Sequence, residues 1–157
     1  MVAQDQGSCS PGVRWVRQLE KVRVIVADDH PGFPEIVEGL LKSEFQIVGK
    51  VTDGEALVKE TMKLNPDIVV TDISMPVLNG IEAAERLKEL GCTSRLVFLT
   101  VHADWDFIRT CMSAGAFGYV VKSRVASELR LAIREALRGH TFISADVPGV
   151  DHSPSTL

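Results

Sequence analysis

The chain has 157 residues, 45% hydrophobic and 24% charged, with a formal net charge of −4 at pH 7, which supports one globular core with tails and excludes a diffuse basic footprint for nucleic-acid backbones. No run approaches the ~18 consecutive apolar residues of a membrane span, and the N-terminus lacks the basic start and apolar stretch of a secretory signal. Cys9, Cys92 and Cys111 are odd in number and fit buried thiols in a reducing cytosol better than a disulfide framework, so a cytoplasmic protein is expected.

Residues 1–20 open with a polar run containing Gly, Ser and Pro and offer no core face, so they read as a flexible leader in which Trp15 is at most an incidental anchor. From Lys21 to about His140, short β-branched runs alternate with longer helix-periodic segments, the signature of βαβ units around a parallel sheet. The first strand is expected over Val22–Ala27. Phe33–Leu41 follows as a helix with Val37, Leu40 and Leu41 on one face, Pro34 tolerable only in its first turn and Gly39 a weak point. Next come a strand at Gln46–Val51 and a helix capped by Asp53 that runs to about Leu64, before Pro66 forbids continuation. Ile68–Thr71 and Arg95–Leu99 are nearly uninterrupted apolar runs, as central strands covered on both faces require. Gly80–Leu90 presents Ile81, Ala84 and Leu87 on a helical face, and Asp104–Ser113 presents Phe107, Ile108, Cys111 and Met112. Phe117–Val121 supplies the last strand, and Val125–Arg138 is the clearest helix, with Val125, Leu129, Ile133, Ala136 and Leu137 on its stripe. The predicted fold is α/β, a doubly wound five-stranded parallel sheet of (βα)₅ order over residues 21–140, with 141–157 as an extension and disordered tail.

In an open parallel α/β sheet the ligand site lies beyond the carboxyl ends of the strands. There the first strand ends in Asp28-Asp29, the third in Asp72, the fourth in Thr100 and the fifth in Lys122. Taken singly, an Asp after a strand is often a turn former or a cap, and a Lys there is often plain surface. Together they are different, because three converging carboxylates repel one another by several kcal/mol in total at an effective dielectric near ~20. A hard divalent cation with oxygen ligands compensates, and Mg²⁺ suits a small cluster that shares a phosphate oxygen. The set reads as phosphoryl-transfer chemistry: a carboxylate nucleophile, a metal and a cation to neutralise the transferring group, and a hydroxyl to hydrogen-bond it. Asp72, at the end of a central strand, is the best nucleophile, with Asp28 and Asp29 as metal-site carboxylates.

The segments VRVIVADDH, VVTDISMPVLNG, VFLT and GYVVK resemble the receiver domains of two-component response regulators over about Val22 to Arg138. The resemblance implies a flavodoxin-like fold with strand order 2-1-3-4-5. It implies Asp72 as phosphoacceptor from a sensor histidine kinase or phosphotransfer protein, Asp28 and Asp29 as the acidic pair, and Lys122 as the family's lysine. It also implies a metal ligand in the backbone carbonyl of Ser74, and a switch formed by Thr100 and Tyr119. Phosphorylation adds about −1.5 to −2 charge; Thr100 moving toward it would vacate space for Tyr119 and reshape the helix 4/strand 5/helix 5 surface, used for a protein partner or a homodimer. ADDHP, TVHAD, AGAFGYVVK and EALRGHTFIS look most like receivers of regulators carrying a LuxR-type helix-turn-helix output domain; the sequence stops at Leu157, where such a domain would begin, so a stand-alone receiver or a receiver fragment is expected. No membrane and no direct nucleic-acid contact are expected of it.

Other readings remain open beside this one. A flavodoxin-like cofactor binder needs a Gly/Ser/Thr-rich phosphate loop where the acidic Asp28-Asp29-His30-Pro31 stands. An aspartyl phosphohydrolase would carry a second acid in place of Ser74. A phosphorylation-independent binding module, or a receiver fragment of a DNA-binding transcriptional regulator, shares the same fold. His30 and His102 flank the site with no metal-ligand spacing and carry little weight. Ser123 follows Lys122 where many receivers have proline, so a trans bond is expected.

Overall fold

In the computed structural model of the protein, residues 21–101 and 104–144 are described. The expected leader with Trp15 and Cys9, the residue His102, and the tail from 145 onward lie outside the described residues. The element order is β1 (Val22–Ala27), α1 (Phe33–Leu41), β2 (Phe45–Val51), α2 (Gly54–Leu64), β3 (Ile68–Asp72), α3 (Gly80–Glu89), β4 (Arg95–Thr100), α4 (Trp105–Ser113), β5 (Ala116–Val121), a 3₁₀ turn (Lys122–Arg124), α5 (Val125–Leu137) and β6 (Phe142–Ile143). The strands form one parallel sheet in the order β2-β1-β3-β4-β5-β6.

The expected α/β doubly wound fold and its central strand order are therefore present, with one correction. The sheet has six strands rather than five, because Phe142 and Ile143 pair with Gly118 and Tyr119. Two residues carry no periodicity, so their strand is invisible to pattern reasoning and the stretch reads as tail.

Each helix buries one stripe against the sheet. Val37 and Leu41 of α1, with Leu129, Ala132, Ile133 and Ala136 of α5, pack on one face against Val24, Val26, Val70, Val97 and Val120. Leu57 of α2, Leu87 of α3, and Ile108 and Cys111 of α4 pack on the other against Ile25, Val69, Phe98 and Tyr119. Full burial of a side chain such as Leu129 stabilises the fold by about 1.5–3 kcal/mol. Burial pushes the Cys111 thiol up to about 12, leaving it inert as a small apolar filler. None of the helices among the described residues is long and apolar enough to cross a membrane.

Caps fix the helix starts. Asp53 accepts the N–H of Ala56 at 2.7 Å, as its position before α2 predicts. Asn79 and Glu82 form a reciprocal capping box at the start of α3, with distances of 2.8 and 3.1 Å. The peptide bond from Lys122 to Ser123 is trans, as expected without a proline.

Candidate functional site

The carboxyl ends of β1 and β3 are adjacent, because Ala27 lies beside Thr71 in the parallel register. Asp28 and Asp72 are thus carried past the sheet edge side by side, and Leu99 pairs with Asp72 so that Thr100 extends one residue further on β4. Thr100 in turn pairs with Val121, after which the chain turns at Lys122. The parallel register alone therefore delivers these residues to one edge.

Asp28 is wholly buried and Asp72 only 3% exposed. Lys122 extends its ammonium to both, 2.7 Å from Asp28 Oδ2 and 3.2 Å from Asp72 Oδ2. The contact with Asp72 has hydrogen-bond geometry, whereas the approach to Asp28 is a close ion pair that leaves Oδ2 without a directional donor. The other oxygen of Asp72 accepts the backbone N–H of Ile73 at 2.7 Å and, more loosely, that of Ser74 at 3.4 Å. Burial holds the Asp72 carboxyl above its ordinary value, partly offset by the charge of Lys122, while the neighbouring Asp28 pushes the same way as burial.

The loop that supports Asp72 is tightly built. Leu78 N–H donates to Pro76 O at 2.7 Å, closing a three-residue turn on Val77, whose φ is 70°; this is strained backbone for a β-branched residue. Gly80 N–H donates to Ile73 O at 2.8 Å. A Cβ on Gly80 would lie 2.0 Å from Asp72 O, so only glycine lets α3 start this close to the site.

Two contributors went unrecognised or underweighted in the sequence. His30 carries Nδ1 into the acidic pocket, 2.8 Å from Asp28 Oδ1, 3.7 Å from Asp29 Oδ1, 3.5 Å from Asp72 Oδ2 and 3.1 Å from Lys122 Nζ. Phe33, the first residue of α1, places its ring 4.5 Å from the Lys122 ammonium, a cation–π contact that helps hold the lysine over the carboxylates. The position of both just after the first acidic pair was the available signal.

Asp28, Asp29, His30 and Asp72 each offer a donor atom, all within 4.8 Å of one another. The three carboxylates, one of them with a buried oxygen lacking a hydrogen-bond donor, fit a hard divalent cation such as Mg²⁺. Tyr119 is wholly buried, and burial raises its hydroxyl well above the ordinary phenol. The ring therefore already lies inside the domain.

Comparison with known proteins agrees with this geometry. Residues 24–134 match the model of the response regulator receiver domain. The transcriptional regulatory protein DegU of Brevibacillus brevis is 33% identical over 135 residues, 85% of this chain and 56% of its own length. A LuxR-family two-component response regulator from an Aurantimonas species superposes with TM-score 0.77 at 31% identity, covering 82% of this chain and 93% of that one. The isolated receiver domain of RcsB from Salmonella enterica serovar Typhimurium, solved in the presence of a phosphomimetic beryllofluoride, gives 0.74 at 25% identity, covering 82% and 96%. The chain spans about 56% to 64% of the length of the curated relatives it matches. Register, buried carboxylates, lysine and sequence match agree: the chain belongs to the response regulator receiver domain family, and its relatives include LuxR-family regulators.

Proposed function

We propose that the protein accepts a phosphoryl group on Asp72 from a sensor histidine kinase or phosphotransfer protein in a Mg²⁺-dependent reaction. The observation that carries this reading is the convergence of Lys122 on Asp28 and Asp72, with Asp72 buried at the end of a central strand. An oxygen of Asp72 forms the bond to phosphorus while the donor's P–N bond breaks and its imidazole leaves. The N–H of Ile73 fixes one carboxylate oxygen and so aims the other. Asp28, Asp29, Asp72 and the Ser74 carbonyl would hold Mg²⁺, which when bound supplies charge neutralisation for the phosphoryl oxygens. Lys122 neutralises charge on the opposite side, kept in position by Phe33, and the Thr100 hydroxyl hydrogen-bonds a phosphoryl oxygen.

The switch follows from the place of Thr100 at the end of β4, beside the strand that carries Tyr119. Drawing Thr100 toward the phosphoryl group changes the surroundings of the Tyr119 ring, which is buried on the neighbouring strand. The α4/β5/α5 surface then carries the signal to a protein partner or a second copy in the cytoplasm. DegU is a transcriptional regulatory protein, a likeness that supports a role in transcriptional control for this receiver.

Intact mass after incubation with acetyl phosphate tests the reaction. The expected result is a gain of one phosphoryl group with Mg²⁺, lost with EDTA and in Asp72→Asn. A folded protein that gains no phosphoryl group at short reaction times would instead favour a phosphorylation-independent binding module.

A further inference from the structure

His30 reaches the acidic pocket from the loop that leads into α1. Its backbone N–H donates to Asp28 Oδ1 at 2.8 Å, and its carbonyl accepts the Phe33 N–H at 3.1 Å, so the residue is held at both ends. The side chain is 59% exposed, yet Nδ1 points inward, 2.8 Å from Asp28 Oδ1, 3.7 Å from Asp29 Oδ1 and 3.5 Å from Asp72 Oδ2. The phosphoryl-transfer chemistry at Asp72 gives this ring no task.

The contacts of Nδ1 conflict with one another. Lys122 Nζ stands 3.1 Å from it, and an ammonium can only donate. With the ring proton on Nδ1, the nitrogen donates to Asp28 but turns its N–H against the ammonium. With the proton on Nε2, it accepts from Lys122 but turns its lone pair against Asp28 Oδ1 at 2.8 Å. Neither tautomer satisfies both neighbours. A cation shared by Nδ1 and the carboxylates removes the conflict with Asp28, because lone pair and oxygens then face one positive charge.

Two further observations point to such a cation. Asp28 is wholly buried, and its Oδ2 has no hydrogen-bond donor. The separations also suit a single ion: donors on a common octahedral centre with bonds of about 2.1 Å lie about 3.0 Å apart when adjacent and about 4.2 Å when opposite. The distances from Nδ1 to the three carboxylates lie near or inside that span.

We propose that His30 Nδ1 is a metal ligand beside Asp28, Asp29 and Asp72, and that it turns the centre toward a first-row transition dication such as Mn²⁺ in preference to Mg²⁺. Imidazole nitrogen suits transition ions, whereas Mg²⁺ takes oxygen ligands. The inference rests on the proposed phosphoacceptor site, whose three carboxylates it shares.

Mn²⁺ added to the full 157-residue chain and followed by electron paramagnetic resonance reads both affinity and ligation. A directly bonded imidazole nitrogen imprints ¹⁴N modulation on the electron spin echo, and competition with Mg²⁺ gives the preference between the two ions. The wild type is expected to show the modulation. In His30→Asn, which offers an oxygen close to the place of Nδ1, the modulation is lost and the preference for Mn²⁺ over Mg²⁺ falls about tenfold. The site is in an exposed loop, so thermal denaturation of this variant should match the wild type. Mn²⁺ bound in a manner weakened by Asp29→Asn, but without ¹⁴N modulation or with modulation that persists in His30→Asn, would overturn His30 as a ligand and leave the phosphoacceptor reading standing. Retention of Mn²⁺ and Mg²⁺ by the folded wild type no greater than by Asp29→Asn would contradict the metal-assisted reading itself, and the nitrogen ligand with it.

Discussion

At Asp72, burial and charge pull in opposite directions. Removal from water and the nearby Asp28 favour the protonated acid, while Lys122 and the Ile73 N–H favour the carboxylate; the balance lies above the ordinary carboxylate value. A raised folded-state value means stability present in acid is lost as pH rises through that value, so ionised Asp72 costs stability near neutrality. Asp72→Asn is expected to raise Tm at pH 7 in EDTA by a few degrees, with the gain shrinking as pH falls and the acid becomes protonated. Thermal denaturation followed by circular dichroism checks this, and a lowered Tm would show that the carboxylate is net stabilising. Asp28, Asp29, Asp72 and Lys122 were legible in the sequence because each follows a strand, and a parallel register brings strand ends together. His30 and Phe33 were not, because neither lies at a strand end and a ring's direction depends on how α1 is entered at Gly32. A lone loop histidine carries no spacing from which its position could be read.

At the scale of elements, the turn between β3 and α3 ties packing to chemistry. Gly80 approaches Asp72 O so closely that an added Cβ would stand 2.0 Å away, with backbone rather than a yielding side chain as the obstacle. Gly80→Ala is expected to cost about 2 kcal/mol in urea unfolding. It should also slow phosphorylation, because the strand end that carries Asp72 and the Ile73 N–H must shift. A variant with unchanged stability and rate would mean that the loop yields freely. The strand and helix limits came through within a residue or so, since β-branched runs and 3.6-residue stripes are long signals. β6 did not, because its two residues are held by pairing with β5 and by the Ser144 contact with Glu128, which are tertiary facts.

Over the whole molecule, α5 is tied to the start of the domain across the α1–β2 corner. Arg134 makes two hydrogen bonds to Glu44, at 2.7 and 2.6 Å, and Arg130 donates to Leu40 O at 2.9 Å. The Arg134 hydrogen bond holds the Glu44 carboxyl below its ordinary 4.5. That contribution is therefore present above pH 4.5 and lost as pH falls through the lower folded-state value. Both side chains are substantially exposed, so solvent screening keeps the pair weak. Arg134→Ala is expected to lower stability slightly at pH 7 and by less in acid, once Glu44 is protonated, measured by urea titration at each pH. An equal loss at both values would assign the effect to packing of the arginine stem.

The central claim is that Asp72 becomes an acyl phosphate. Borohydride reduction after acetyl phosphate treatment, followed by peptide mass mapping, tests it most directly, because an aspartyl phosphate is reduced to homoserine at the residue that carried it. The account predicts homoserine at position 72, formed only with Mg²⁺ present. Homoserine at another aspartate in a folded, Mg²⁺-loaded protein, or at none, would contradict it.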